Sequence, residues 1–295
     1  MKRSVMIIMN PKAGKGNAKT ALFTICDRFC AMQDEVHVYI SQYPSHAMVL
    51  SQELGSYHDI LLCIGGDGTW NEVINGVMSL QKQPLLAYLP TGTVNDFASS
   101  LKMSKNPTTL MDHIETYTPF ACDIGDFNHQ RYFTYVAAFG LFTDVSYSTP
   151  QRSKNTFGKI AYYLEGIKQL ASIPRYHIKL HVNDEVIEDD YIFGCISNSK
   201  YVAGFTTVST KNAQMDDGLF EILMIRTPNN PLDVQVIIAA LLRREVNHDW
   251  MYFTTATSLT IESKEAIPWT LDGEEGGSTL SVEIENKSKA VTILV

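Results

Sequence analysis

Hydrophobic residues in the first 120 positions fall into short unbroken runs separated by amphipathic stretches. Ser4 to Met9 (SVMIIM) predicts a buried strand, followed by a glycine-containing loop and a helix from about Ala18 to Met32. EVHVYI, from Glu35 to Ile40, alternates as a strand, and Ser45 to Leu54 has helical spacing. Ile60 to Ile64 is a third buried run, leading into GGDGTWNE, with Asn71 and Glu72 in the first turns of a helix that continues through Val73 to Met78. Leu85 to Leu89 is a fourth, ending in PTGTVNDFASSL. Strands alternating with helices predict a parallel sheet covered on both faces. Ligands of such sheets bind at the carboxyl ends of the strands, so the loops after Met9, Ile64 and Leu89 share one candidate edge.

The pattern changes after about Cys122. Tyr132 to Phe139, Tyr176 to Val182, Val186 to Ile196, Leu219 to Ile225, Ser258 to Glu262, Leu280 to Ile284 and Ala290 to Leu294 all read as strands. Only Lys159 to Ile173 and Val234 to Arg244 read as helices. This predicts two domains, an α/β domain over residues 1–122 and a β-sandwich over 123–295, with the last strand free to return to the first domain. His177 and His181 alternate with Ile178, Leu180 and Val182, which places them on a polar strand face rather than in a metal site.

Composition narrows the function. Of 295 residues, 45% are hydrophobic and 19% charged, enough to bury full cores. The formal charge of -8 argues against nucleic-acid binding and against purely electrostatic docking on anionic lipid. The five cysteines, Cys26, Cys30, Cys63, Cys122 and Cys195, read as reduced thiols, and no second Cys/His pair completes a metal site. The apolar run near the start is too short for a signal-peptide core, and none is long enough to span a bilayer, which predicts a cytoplasmic protein. Asn286-Lys287-Ser288 fits a glycosylation sequon, read here as chance.

The candidate chemistry lies in the glycine-rich corners. GKGNAKT lacks the glycine that a Walker A loop places directly before its lysine, and is rejected as one. The loop Asn10 to Gly16 can still cradle phosphate, with Lys15 as a point charge, or be an ordinary loop. In GGDGT, Asp67 would repel a bare anion; an acid among phosphate-binding glycines makes sense when a divalent cation mediates. Thr69 can cap the following helix, and Asn71 and Glu72 can bond ribose or neighbouring loop backbone. LPTGTVNDFA repeats the arrangement with Thr91, Thr93, Asn95 and Asp96, and a further acid, Asp123, sits where the first domain hands over to the second.

NPKAG (10–14), GGDGTWNE (65–72) and LPTGTVNDFA (89–98), followed by MDDGLFEI (215–222) and LDGEEG (271–276), resemble the diacylglycerol kinase catalytic family, most closely its soluble bacterial branch of diacylglycerol kinase B and YegS-like lipid kinases. The resemblance covers essentially the whole chain. It implies a nucleotide-binding α/β domain like that of NAD kinases and diacylglycerol kinases, then a β-sandwich, with the active site between them. It implies that ATP lies against Asn10, Pro11, Lys12, Ala13, Gly14, Ser41, the stretch Gly66, Asp67, Gly68, Thr69, Trp70, Asn71 and Glu72, and Thr93 and Asn95. Helix packing would nonetheless bury Trp70. Asp67, Asp96 and Asp123 would surround a catalytic Mg²⁺, Lys15 and less directly Lys159 would offset phosphate charge, and Glu274 would be the general base. Gln214, Asp217 and the Leu219 carbonyl match a structural Mg²⁺ site. Read without the resemblance, the Asp-Gly pairs at 217 and 272 are hairpin turns.

The implied activity is phosphoryl transfer from ATP to a lipid hydroxyl, diacylglycerol first, with phosphatidylglycerol or a sphingoid base as other acceptors. A catalytically silent lipid- or nucleotide-binding regulator is the contrasting reading, and the presence of Asp67, Asp96, Asp123 and Glu274 argues against it. A lipid acceptor implies peripheral membrane contact, for which Phe139 to Tyr147 and Tyr201 to Phe205 are apolar candidates; homodimers are common among such enzymes.

Overall fold

A computed structural model describes residues 2–13, 17–141, 174–198, 201–202, 205–206, 214–243 and 245–295. The chain divides into two compact units, Met1–Asp123 with Lys289–Val295, and Ile124–Ser288.

The first unit is a parallel sheet. Strands β1 (Ser4–Met9), β2 (Glu35–Ile40), β3 (Ile60–Gly65) and β4 (Leu85–Pro90) lie in the order β2-β1-β3-β4. β1, β3 and β4 are almost wholly buried along their length, as uninterrupted apolar runs in a sheet covered on both faces should be. Helices α1 (Asn17–Ala31), α2 (His46–Leu54) and α3 (Asp67–Val77) supply the crossovers. After β4 come α4 (Asp96–Ser100), then α5 (Pro107–Thr116). α5 starts at Asn106, whose side chain accepts from the Thr108 N–H, with Pro107 in the first turn. Both are standard start signals. Ile25 and Phe29 of α1 pack with Leu110, Met111 and Ile114 of α5 against Ile7, Leu62 and Leu89 of the sheet.

Strand β5 (Pro119–Phe127) carries the chain out of this unit at Asp123. The second unit is antiparallel. Its strands are β6 (Arg131–Phe133), β7 (Val136–Gly140), β8 (Tyr176–Val182), β9 (Glu185–Ser197), the short β10 (Tyr201–Val202) and β11 (Phe205–Thr206), β12 (Phe220–Arg226), β13 (Met251–Ala256), β14 (Ser258–Leu271) and β15 (Glu274–Leu294), with helix α6 at Pro231–Arg243. β9 pairs with β8 through its first half and with β7 through its second, and β14 does the same from the other side. β12 and β13 extend the sheet beyond β9. An aromatic chain fills this core: the Trp269 ring lies 5.3 Å from Phe127 and 4.9 Å from Phe139, both edge-on.

Several sequence expectations change. The single strand expected over Tyr132 to Phe139 is two, broken at Thr134 and Tyr135. The strands expected at Leu280 to Ile284 and Ala290 to Leu294 are one 21-residue strand, β15. Its last residues leave the second unit and join the first sheet, where Ile293 pairs in parallel with Leu86 and the Val295 N–H donates to the Thr118 carbonyl. α5, β5 and β13 were not anticipated. The helix expected at Lys159 to Ile173 lies outside the described residues.

Candidate active site

Three loops at the carboxyl edge of the first sheet are tied together by their backbones. The Asn10 N–H donates to the Ile64 carbonyl at 2.9 Å, and the Thr91 N–H to the Gly65 carbonyl at 2.7 Å. Asn10 Nδ2 donates to Thr69 Oγ1 at 2.9 Å, and Asn10 Oδ1 accepts from the Lys12 N–H at 3.0 Å. The glycine corners after β3 and β4 touch: a Cβ on Gly66 would lie 3.2 Å from the Gly92 Cα.

The helix after GGDGT begins earlier than its apolar pattern suggests. Gly66 is its N-cap and Asp67 its first residue, so the Asp67 carboxylate stands at the positive end of α3. Thr69 is therefore inside the helix and bonds Asn10 instead of capping. Asn95 heads α4 in the left-handed region, φ 57, with its Nδ2 donating to the Gly92 carbonyl at 2.8 Å. Asp96, the first residue of α4, is buried. The Asn95 Oδ1 and Thr91 Oγ1 are buried with no hydrogen-bond partner among the described residues.

Two other residues of this stretch serve the scaffold. Glu72 accepts from the Ser45 N–H at 2.8 Å and the Ala47 N–H at 3.0 Å, the loop-backbone role of the two open to it. Trp70, placed by the resemblance among nucleotide-binding residues, is wholly buried. Its ring stacks on Tyr88 at 4.8 Å and meets Phe97 at 5.2 Å, which makes it the core beneath both corners and removes it from the ligand surface. Burial, helped by the charge of Asp67, pushes the Tyr88 hydroxyl far above its ordinary value.

Asp123 is also fully buried, and its Oδ1 accepts from the Lys289 N–H at 2.7 Å, fastening the returning strand. Pro11, Lys12 and Thr93 are exposed and Ala13 and Ser41 half-buried at the same sheet edge, with the Ser41 N–H donating to the Met9 carbonyl. Gly14, Lys15 and Lys159 lie outside the described residues.

In the second unit Glu274 is exposed at the start of β15, immediately after a left-handed turn at Asp272 (φ 52) and Gly273 (φ 81). Gln214 and Asp217 are exposed, and Asp217 Oδ1 accepts from the Leu219 N–H at 3.0 Å, closing a turn. Of the apolar stretches considered for membrane contact, Phe139 is buried in the core, while residues 142–147 and the side chains of Tyr201, Val202 and Phe205 lie outside the description. No helix among the described residues is long and apolar enough to cross a membrane.

Sequence reasoning assigned no role to Asp272. Only its place in the Asp-Gly turn signalled it, whereas the structure gives its carboxylate four hydrogen bonds to residues 134–136.

Comparison with known proteins agrees with this architecture. The profile of the family described as "Diacylglycerol kinase catalytic domain" matches residues 4–127, and that described as "YegS C-terminal NAD kinase beta sandwich-like domain" matches residues 136–295. A diacylglycerol kinase of Staphylococcus saprophyticus is 30% identical over 278 residues, 94% of this chain and 90% of the relative. One of Bacillus subtilis is 28% identical over 279 residues, 94% of this chain and 91% of the relative. A crystal structure of a diacylglycerol kinase from Bacillus anthracis superposes with a TM-score of 0.76 at 25% identity, covering 99% of this chain and 96% of that one. The chain belongs to the diacylglycerol kinase catalytic family, in the branch with a YegS-type β-sandwich-like C-terminal domain.

Proposed function

We propose that this protein transfers the γ-phosphoryl group of ATP to the free hydroxyl of diacylglycerol, giving phosphatidic acid. The observation that carries the reading is the meeting of the Gly66 and Gly92 corners, with Asp67 and Asp96 each heading a helix beside them, in a chain of this family. The missing side chains of Gly66 and Gly92 let the two corners close on each other, and the helix N-terminus that follows the first corner favours a phosphate there. Asn10 and Thr69 hold the first loop against the second, and Glu72 holds the start of α2. Lys15 is proposed to offset phosphate charge.

The carboxylates of Asp67, Asp96 and Asp123 are proposed as the acidic network around a magnesium ion and its waters, hard oxygen donors of the kind that ion takes. Bound there, Mg²⁺ would neutralise charge on the transferring phosphoryl group. Glu274 is proposed to accept the proton of the lipid hydroxyl as it attacks. Gln214, Asp217 and the Leu219 carbonyl are proposed as a second, structural Mg²⁺ site. An acceptor dissolved in a bilayer requires peripheral contact with the cytoplasmic membrane surface, and a homodimer is proposed on family likeness alone.

Purified protein given ATP, Mg²⁺ and vesicles containing diacylglycerol, phosphatidylglycerol or a sphingoid base, with products identified by mass, tests the acceptor. Phosphatidic acid is the expected product. Glu274→Gln is expected to lower kcat by about 10²–10⁴-fold with ATP affinity unchanged. Wild-type kcat in that variant overturns the general-base role.

A further inference from the structure

The chain breaks between β6 and β7, and at Thr134, Tyr135 and Val136 three successive backbone N–H groups point at one carboxylate. Asp272 Oδ2 accepts from the Thr134 N–H at 2.7 Å and from its hydroxyl at 2.8 Å. Asp272 Oδ1 accepts from the Tyr135 and Val136 N–H groups, both at 3.0 Å. The contact is returned, since the Asp272 N–H donates to the Val136 carbonyl at 2.8 Å and the Tyr135 hydroxyl to the Asp272 carbonyl at 3.0 Å. Asp272 is only 4% exposed, and Thr134, Tyr135 and Val136 are buried with it. Burying a carboxylate is costly unless it is hydrogen-bonded, and burying three backbone donors is costly unless they find acceptors. Each group here answers the other. Burial still pushes the Asp272 carboxyl above its ordinary value, against the pull of these N–H donors.

The consequence falls on Glu274. Asp272 and Gly273 both lie at positive φ, the two-residue hairpin geometry that Asp-Gly favours, and the Asp272 carboxylate additionally ties that turn to residues 134–136. Leu271 and Glu274 close it as a strand pair. On the far side, Arg131 Nη1 donates to the Glu275 carbonyl at 2.6 Å. Glu274 itself is exposed.

We propose that Asp272 is a positioning residue for phosphoryl transfer: its carboxylate locks the turn onto the 134–136 backbone and so fixes where Glu274 stands. This rests on the reading of Glu274 as the base. Misplacing a catalytic group by about 1 Å costs about 10²-fold in rate. Asp272→Asn keeps the size but presents an amide N–H₂ to backbone donors, which unpairs at least one of them.

The test combines Asp272→Asn, Thr134→Val, Glu274→Gln and the Asp272→Asn/Glu274→Gln double variant, with diacylglycerol vesicles, ATP and Mg²⁺. Asp272→Asn is expected to lower kcat about 10²-fold while KM for ATP stays within about twofold. Thr134→Val, which removes one hydroxyl, is expected to lower kcat about fivefold and decides the matter if Asp272→Asn does not fold. In the Glu274→Gln background the Asp272 change is expected to cost nothing more, because both act through one group. Losses that multiply instead, or a KM for ATP that rises in step with the fall in kcat, overturn the positioning role. A Glu274→Gln variant at wild-type rate overturns the base reading separately. Amide exchange gives an activity-independent readout: Asp272→Asn, or Thr134→Val where the former does not fold, is expected to speed exchange at 134–136 and 273–275, and Glu274→Gln to leave it unchanged. Native exchange there in the Asp272 variant also overturns the proposal.

Discussion

Gly66 and Gly92, on different corners of the first sheet, touch through their backbones. A methyl group on Gly92 would sit 2.7 Å from the Gly66 Cα and 2.7 Å from Asn95 Oδ1. The first of these is backbone and has little room to yield. Gly92→Ala is expected to push the corners apart, costing about 1–3 kcal/mol of stability and at least about tenfold in ATP affinity. Calorimetric titration with ATP and thermal unfolding check both; an unchanged Kd would separate this contact from nucleotide binding.

Glu72 bridges two helices. It stands in α3 and accepts from the Ser45 and Ala47 N–H groups at the start of α2. Ser45 has φ 65 and makes no side-chain cap, so Glu72 supplies the cap from outside. Glu72→Ala is expected to cost about 1–3 kcal/mol and to speed amide exchange in the first turn of α2. Glu72→Gln, which keeps one acceptor, should lose less.

His177 gives the second unit a dependence on pH. Its ring contacts Asp190 at 2.8 Å and Glu188 at 2.9 Å, and both hydrogen bonds raise its pKa above the ordinary 6.5. The same contact holds Glu188 below 4.5. A raised histidine stabilises fully below its unfolded pKa and loses that contribution as pH rises through the folded value. A lowered carboxyl contributes above its unfolded pKa and loses that as pH falls. The difference in melting temperature between wild type and His177→Gln should therefore peak near pH ~5.5 and shrink by pH ~8. A difference that is flat across that range would show the cluster to be inert.

The turn at Asp217 separates two roles by metal dependence. If Gln214, Asp217 and the Leu219 carbonyl hold Mg²⁺, added Mg²⁺ should raise the melting temperature of wild type more than that of Asp217→Ala. Equal response in the two proteins would leave Asp217 as turn chemistry alone, satisfied by its bond to the Leu219 N–H.

The parallel strands were readable because a strand buried on both faces must be a continuous apolar run, as in Ile60–Gly65. α5 was missed although Asn106-Pro107 announces it, because Thr108 and Thr109 obscure its first turn. Reading Tyr132 to Phe139 as one strand followed from its apolar content; nothing local says that Thr134 and Tyr135 bond to an aspartate far along the chain. At the site, glycine and acid spacing marked the corners because close backbone approach excludes side chains. For Glu72 the sequence offered loop backbone or ribose, and only the fold names Ser45 and Ala47 as its partners; the work of Asp272 was not legible, since it is defined by its contacts with Thr134 to Val136. Helix packing already placed Trp70 in the core although its sequence neighbours are polar, and its contact with Tyr88 and Phe97 shows what it packs on.

The parallel pairing of Ile293 with Leu86 also sets a timetable. As the chain leaves the ribosome, β4 is made long before its neighbour, with all of Ile124–Ser288 translated in between. At about 5–20 residues per second that interval is roughly ten to forty seconds. Throughout it the nascent sheet presents β4 as an open edge, a template for mispairing with other chains. Late translation closes the vulnerability, so stalling after the second unit would leave the nucleotide-binding half made but unsealed.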